Sequence, residues 1–356
     1  MNVIVDSPRA GAGGAVTIRP ARDSDADGWD TFVYAAPNAT FFHRFGWRGI
    51  FRDVFRLAPH YLIAERAGAI TGILPLAHQK SLLFGNALIS VPFCVEGGPL
   101  AADAESRAAL DEAAIALMDA LNAGSLEFRS RKAGRPGWTP RKDLYATFAR
   151  EISPSSDENL RAIPRKQRAV VRKTLAGGLS SEVESGVDTL FRIYSESVRN
   201  LGTPVFPKRY FSRLRETFGS DCDVVVVRED ATALSTVMNF YFRDTVMPYY
   251  GGGLAAARRN GANDFLYWEV MRRAAERGFR RFDFGRSRSG TGAFAFKKNW
   301  GFEPEWLEYE YRLPQGAMLP EKNPSNPGYA RLIALWKRLP LPLANVIGPL
   351  LVRGLG

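Results

Sequence analysis

Two stretches of this 356-residue chain carry the same order of local signals, and that repetition limits its folding more than any other feature. In the first, strand-like runs at 60–65 and 70–78 flank a turn at Ala67-Gly68. A third run at 87–92 leads to Gly97-Gly98, an Ala/Leu-rich helical stretch at 105–122 and a short strand at 126–129. In the second, runs at 223–228 and 234–243 flank Glu229-Asp230. The run 246–250 enters Gly251-Gly252-Gly253, followed by a helix at 262–277 and a strand at 281–284. The offset is nearly constant, 155 positions from Gly97 to Gly252 and 154 from Phe128 to Phe282. Identity between the halves is slight, so a chance alignment of common elements competes with duplication.

Each unit reads hairpin, strand, glycine loop, helix, strand. That order makes a mixed, mostly antiparallel sheet with one parallel crossover, covered by helices. Helical segments at 23–34 and 42–55 precede the first unit and others at 187–200 and 208–218 the second, with Asp23 and Asp188 at the expected N-caps. These signals predict an α+β protein of two similar lobes, 16–152 and 158–314, joined near 151–157. A disordered lead, 1–15, precedes them and a basic amphipathic tail, 327–356, follows.

Charge narrows the partners. Lys and Arg number 48 against 37 Asp and Glu, a formal +11, which favours an anionic partner. With 46% apolar residues the chain has ample core, which excludes a disordered or disulfide-stapled class. Cys94 and Cys222 lie in apolar stretches and read as buried thiols of a reduced, cytoplasmic compartment. His43, His60 and His78 share no ligand spacing with them, so no transition-metal site is expected. No run of eighteen or more apolar residues predicts a membrane span.

Helices, an antiparallel sheet and a glycine loop opening a helix resemble the GNAT N-acyltransferase fold. Two such lobes resemble the Fem family, whose members pass an amino acid from charged tRNA to a peptidoglycan precursor. The run Ile163-Pro164-Arg165-Lys166-Gln167-Arg168, with Val171-Arg172-Lys173 and Gly177-Gly178-Leu179, resembles the segment opening that family's second lobe. Phe282-Asp283-Phe284-Gly285 and Phe296-Lys297 resemble its closing signature. The tail resembles those of FemAB-related proteins associated with PEP-CTERM/exosortase exopolysaccharide systems. No counterpart is seen of the long helical arm that some Fem enzymes carry for tRNA.

The resemblance implies an acyl or aminoacyl transferase acting on an amine of a peptidoglycan or exopolysaccharide precursor. Its donor would be aminoacyl-tRNA or acyl-CoA and its acceptor lipid-linked or saccharide. A coenzyme A-dependent N-acetyltransferase of exopolysaccharide biosynthesis and a non-catalytic scaffold of a polysaccharide assembly complex are the alternatives.

Four groups of residues could serve such chemistry. Arg161, Arg165, Arg168 and Arg172 recur at helical spacing, with Lys166 and Lys173 beside them and no acid between Arg161 and Lys173. That face suits tRNA phosphates, a pyrophosphate or a lipid headgroup, or is simply solvated. Arg258-x-x-Gly261-x-Asn263 approximates the turn that holds coenzyme A pyrophosphate on backbone N–H groups, or is a plain strand-to-helix loop. By resemblance, Phe296 and Lys297 lie at the transfer site, where Lys297 stabilises an oxyanion or holds the donor's phosphate. Asp283 would orient the amine or Lys297, or merely cap a loop. Tyr250 is a candidate donor to a leaving 3′-oxygen, and strand alternation puts Tyr249 on the opposite face. No nucleophile–His–acid arrangement is recognisable, so direct attack on an activated acyl group is expected. The tail either lies on an anionic membrane face or packs against the second lobe.

Overall fold

Both units fold in the order their local signals predict. The computed structural model describes residues 14–81, 85–319 and 327–354, so residues 1–13 of the expected lead lie outside it. The first half opens with β1 (Thr17–Pro20), α1 (Ala26–Ala35) and α2 (Gly46–Asp53). Its repeat unit is β2 (Ala58–Arg66), β3 (Ala69–Ser81), β4 (Gly85–Ser90), β5 (Leu100–Ala101), α3 (Ala104–Ala120) and β6 (Leu126–Phe128). Then come β7 (Thr139–Arg141), β8 (Tyr145–Thr147), β9 (Ala149–Glu151), α4 (Ser156–Ala162), α5 (Arg165–Leu175) and β10 (Leu179–Glu184). Helices α6 (Asp188–Leu201) and α7 (Lys208–Phe218) precede the second unit, which is β11 (Cys222–Glu229), β12 (Thr232–Phe242), β13 (Thr245–Gly253), α8 (Ala255–Asn260), α9 (Ala262–Glu276) and β14 (Arg281–Asp283). The chain continues through β15 (Ser287–Arg288), α10 (Gly292–Asn299), β16 (Glu305–Trp306), β17 (Tyr309–Arg312), α11 (Pro327–Arg338) and α12 (Leu341–Val352).

Local differences have local causes. The helix expected at 42–55 begins only at Gly46, because Thr40 caps a tight turn at Phe41–His43 by accepting from the Phe42 N–H. Asp188 is the first residue of α6 and Asp25, not Asp23, precedes α1.

The first sheet has the order β1-β2-β3-β4-β6-β17-β7, with β5 beside β3, and the second the order β10-β11-β12-β13-β14-β9. Each contains the one parallel pair that its crossover helix requires, β4 with β6 and β13 with β14. The two sheets exchange closing strands. Ala149–Glu151 pairs with β14 of the second sheet, and Tyr309–Arg312 pairs with β6 and β7 of the first. Each half of the chain therefore lends a strand to the other's large sheet, and β8 of the first half pairs with β15 and β16 of the second in a third, three-stranded sheet.

Between the sheets lies a shared aromatic core. Phe41 of the first half stacks on Phe240 of the second, with centroids 4.5 Å apart, and Trp29, Trp47 and Phe218 fill in around them. Outer cores sit under α3 and under α9. Cys94 and Cys222 are buried free thiols, as their apolar settings predict, and burial pushes both up.

The basic segment is not one helix. Ile163-Pro164 separates α4 from α5, because a residue before proline resists the helical conformation, so Arg161 leaves the predicted row. Arg165, Lys166, Arg168, Arg172 and Lys173 remain on α5. The tail forms two helices that dock on α6. Trp336 is buried with its Nε1–H donating to the Thr203 carbonyl at 3.2 Å, so one side of the tail packs on the second lobe. Among the described residues no helix is long and apolar enough to cross a membrane.

Candidate active site

The candidate site forms where β13 and β14 part. Their parallel pairing covers only Thr245–Arg281 and Val246–Phe282, although β13 continues to Gly253. The far side of β13 stays close to α6 because Gly252 has no Cβ, which would stand 2.9 Å from the Tyr194 Cα.

A bulge in β13 decides which tyrosine reaches this opening. Met238 pairs with Tyr250 and Asn239 with Pro248, leaving Tyr249 as the extra residue. The expected alternation therefore fails, and the two rings stand 4.8 Å apart in the same aromatic cluster. Tyr250 is buried and its hydroxyl lies 2.6 Å from that of the buried Tyr210, so it does not face the opening. Tyr249 is only partly buried, and its ring approaches the backbone at Gly285.

Asp283 ends β14. Its Oδ1 accepts from the Thr147 hydroxyl at 3.0 Å and from the Gly285 N–H at 2.7 Å, so it closes the turn that follows the strand. Gly285 takes φ +68°, a conformation the turn demands and glycine supplies without strain. Lys297, on α10, is buried and its Nζ donates to the Gly285 carbonyl at 2.8 Å and the Arg286 carbonyl at 3.3 Å. Burial pulls its ammonium down to about 7; the Asp283 charge opposes this shift and Arg286 adds to it. Phe296 packs on Tyr267, Phe284 and Trp300, and so sets the height of α10 over β14.

Arg286 was not among the residues singled out in the sequence, yet it ties the lobes together here. Its guanidinium lies 4.5 Å from the Tyr145 ring and donates to the Tyr309 hydroxyl at 3.0 Å. Tyr309, on the exchanged strand β17, donates to the Val95 carbonyl. The only signal was its place directly after Phe282-Asp283-Phe284-Gly285.

A cavity of about 600 Å³ opens in the first half, lined among others by Asn38, Thr40, Glu96, Arg131 and Lys132, and reaches the second half at Arg281, the first residue of β14. Burial lifts the Glu96 carboxyl above its usual range; Arg131, 3.0 Å away, opposes the shift, and Asp283 and Glu305 add to it. His43 lies in the cavity wall as a fixed support, its ring joined to Thr40 and to the Gly98 carbonyl.

The first turn of α9 is partly occupied. The Ala262 N–H donates to the Asn260 Oδ1 at 3.2 Å, and the Asp264 and Phe265 N–H groups donate to the Gly261 carbonyl at 2.9 and 3.0 Å. The Asp264 carboxylate sits in the same turn, accepting from Trp300 Nε1 at 3.1 Å and from Gln167. Asn263 turns back onto β13, where a Cβ on Gly253 would meet its amide. Gly261, at φ +75°, is pressed against Thr174 of α5. Helix α5 thus covers the end of α9. Around this junction Arg165, Lys166, Arg172, Lys173, Arg258 and Arg259 are exposed and have no carboxylate partner among the described residues. Arg168 is partly buried and donates to the Arg161 carbonyl at 2.8 Å.

Residues 159–298 match the family described as acetyltransferase (GNAT) domain. No curated protein matches the sequence. Among solved structures, FemX is similar over 90% of this chain and 100% of its own, with 15% identity and a TM-score of 0.66. A tandem GNAT protein from the clavulanic acid biosynthesis pathway matches over 85% and 100%, with 14% identity and a TM-score of 0.55. The C-terminal domain of a putative lysylphosphatidylglycerol synthetase from Agrobacterium fabrum matches over 82% and 92%, with 16% identity and a TM-score of 0.54. The likeness in structure establishes the fold, two GNAT-like lobes in tandem, and residues 159–298 are a GNAT-superfamily acyltransferase domain.

Proposed function

We propose that this acyltransferase moves an aminoacyl group from aminoacyl-tRNA to an amine of a cell-envelope precursor, either peptidoglycan or exopolysaccharide. The observation that carries this reading is the junction of α5, α8 and α9. Two amides of a GNAT pyrophosphate turn, those of Ala262 and Asp264, are taken there by Asn260 and by the Gly261 carbonyl, and the Asp264 carboxylate repels a second anion. That disfavours coenzyme A. Six unpaired cations on the exterior of the same junction suit an extended polyanion better than one pyrophosphate. The resemblance to Fem transferases points the same way.

In this reading the acceptor occupies the cavity that reaches Arg281, where the exposed Lys132 attracts its acidic groups. Its neutral amine attacks the ester carbonyl of the donor. The new C–N bond forms as the C–O bond to the tRNA 3′-oxygen breaks, and the proton lost by the amine ends on that oxygen. Lys297 and Asp283 hold the 283–286 turn, and Tyr249 and Arg286 border the opening where charge develops. The reaction asks for positioning and needs no covalent enzyme intermediate.

The test is retention of charged and uncharged tRNA on filters across a salt series, with thermal shift by acetyl-CoA in parallel. Tighter retention of charged tRNA, weakening with salt, supports the proposal. No retention at low salt together with a thermal shift by acetyl-CoA replaces it with coenzyme A-dependent acetylation.

A further inference from the structure

We infer that the C-terminal helical hairpin seats the protein on an anionic lipid bilayer. The inference is independent of which donor the site uses. The hairpin is built into the fold and is not a loose end. Arg199 Nη1 donates to the Leu339 carbonyl at 3.1 Å at the corner between α11 and α12. Gly348 lies so close to the chain at Val205 that a Cβ would stand 2.9 Å from its nitrogen, and Ala344 and Val352 are buried. Gln79 Nε2 of β3 donates to the Arg353 carbonyl at 2.7 Å. One side of the hairpin is therefore held by α6 and by the first sheet.

The other side is apolar too. Leu332, Leu335, Leu343, Val346 and Leu350 are 51–68% exposed. Positions 332 and 335, and positions 343, 346 and 350, recur at helical spacing, so each set forms one face. Helix α12, with the sequence LPLANVIGPLLV, has no charged residue at all. A helix at a protein–water boundary carries polar residues on its outer face. One that is apolar on both sides lies between the protein and a second apolar phase.

Charge identifies that phase. Arg331, Lys337 and Arg338 are exposed beside the apolar face without a carboxylate partner among the described residues, and positions 328–356 contain no acid. A second copy packed on this face by a two-fold axis would bring the same cations together. Anionic headgroups neutralise them instead. The twelve residues of α12 reach about 18 Å, well short of the ~30 Å hydrocarbon thickness, so the helix lies in the plane of the interface.

The experiment is co-sedimentation of the full chain with vesicles of phosphatidylcholine alone or with phosphatidylglycerol, at low and high salt. The proposal expects binding that requires phosphatidylglycerol and weakens with salt. Binding should fall by about tenfold or more in Lys337→Glu/Arg338→Glu and be lost in Leu343→Gln/Val346→Gln/Leu350→Gln. These side chains are exposed, so both variants should keep the wild-type melting temperature, which is measured alongside. Absence of binding to either vesicle overturns the proposal, as does equal binding to both or undiminished binding by the leucine-face variant. A lipid-free dimer that this variant converts to monomer also overturns it and assigns the face to a second copy.

Discussion

Lys297 and Gly285, twelve positions apart, are joined by a 2.8 Å hydrogen bond from the ammonium to the backbone carbonyl, so the lysine holds the turn that follows Asp283. A buried ammonium with only two carbonyl acceptors is poorly solvated, which is why its pKa falls to about 7.

This relationship predicts a pH dependence. The folded value near 7 lies below the ordinary lysine value of 10.5, so between them the folded protein binds fewer protons than the unfolded one. Stability then rises with pH across that window, is fully present above it, and is lost as pH falls through 7. Denaturant unfolding of wild type and Lys297→Met should diverge in slope there, by on the order of a few kcal/mol over the whole window. Parallel curves would show that Lys297 titrates normally.

Removal of Lys297 should also reduce transfer sharply. Lys297→Ala is expected to lose about 10²-fold or more in kcat, the range for a turn displaced by about 1 Å at a site that works by positioning. Complementation of a deletion strain reads the same question in cells, and full complementation by Lys297→Ala would mark the protein as a scaffold.

The two neighbouring tyrosines should separate. Tyr250→Phe removes one hydrogen bond inside the core, so it should cost about 1 kcal/mol in stability and leave kcat nearly unchanged. Tyr249→Phe removes only the long 3.5 Å bond from its hydroxyl to the Phe93 carbonyl, so it should cost less stability and lower kcat more. Measuring unfolding and single-turnover rates on both variants checks the assignment.

Asp283→Ala leaves the Gly285 N–H without its acceptor, at a cost of about 1–3 kcal/mol, and frees the turn that Lys297 braces. Asp283→Asn keeps an acceptor for that N–H. It should therefore recover most of the stability, and part of the rate if the role of Asp283 is positional.

Charge reversal on α5 tests the polyanion surface. Arg165→Glu with Arg172→Glu should weaken tRNA retention and reduce the magnitude of its salt slope by about 2, without altering the melting temperature. An unchanged slope would take α5 out of the contact.

The halves were legible in the sequence because strand alternation, glycine loops and helical spacing are local, and the order around Gly97 and Gly252 survives even where identity does not. The motif Phe282-Asp283-Phe284-Gly285 with Phe296-Lys297 falls on a turn and a helix that Asp283 and Lys297 tie together. What was hidden was non-local. One extra residue at Tyr249 turns both tyrosines into one cluster, and no alternation pattern announces a bulge. Arg286 acquires its meaning only from Tyr309, a residue on a strand returned from the far end of the chain. The row of arginines lost Arg161 to Pro164, a break the spacing alone ignored.

The exchanged strands bear on how the molecule comes into being. On a ribosome the first sheet must wait with the outer edge of β6 open until Tyr309–Arg312 emerges, some 180 residues later by the positions of the two strands. Severed at 151–157, the amino-terminal piece would present a raw sheet edge and the carboxy-terminal piece would lack Ala149–Glu151 beside β14. Fragments expressed apart should aggregate, and the transfer site should appear only when both are made together.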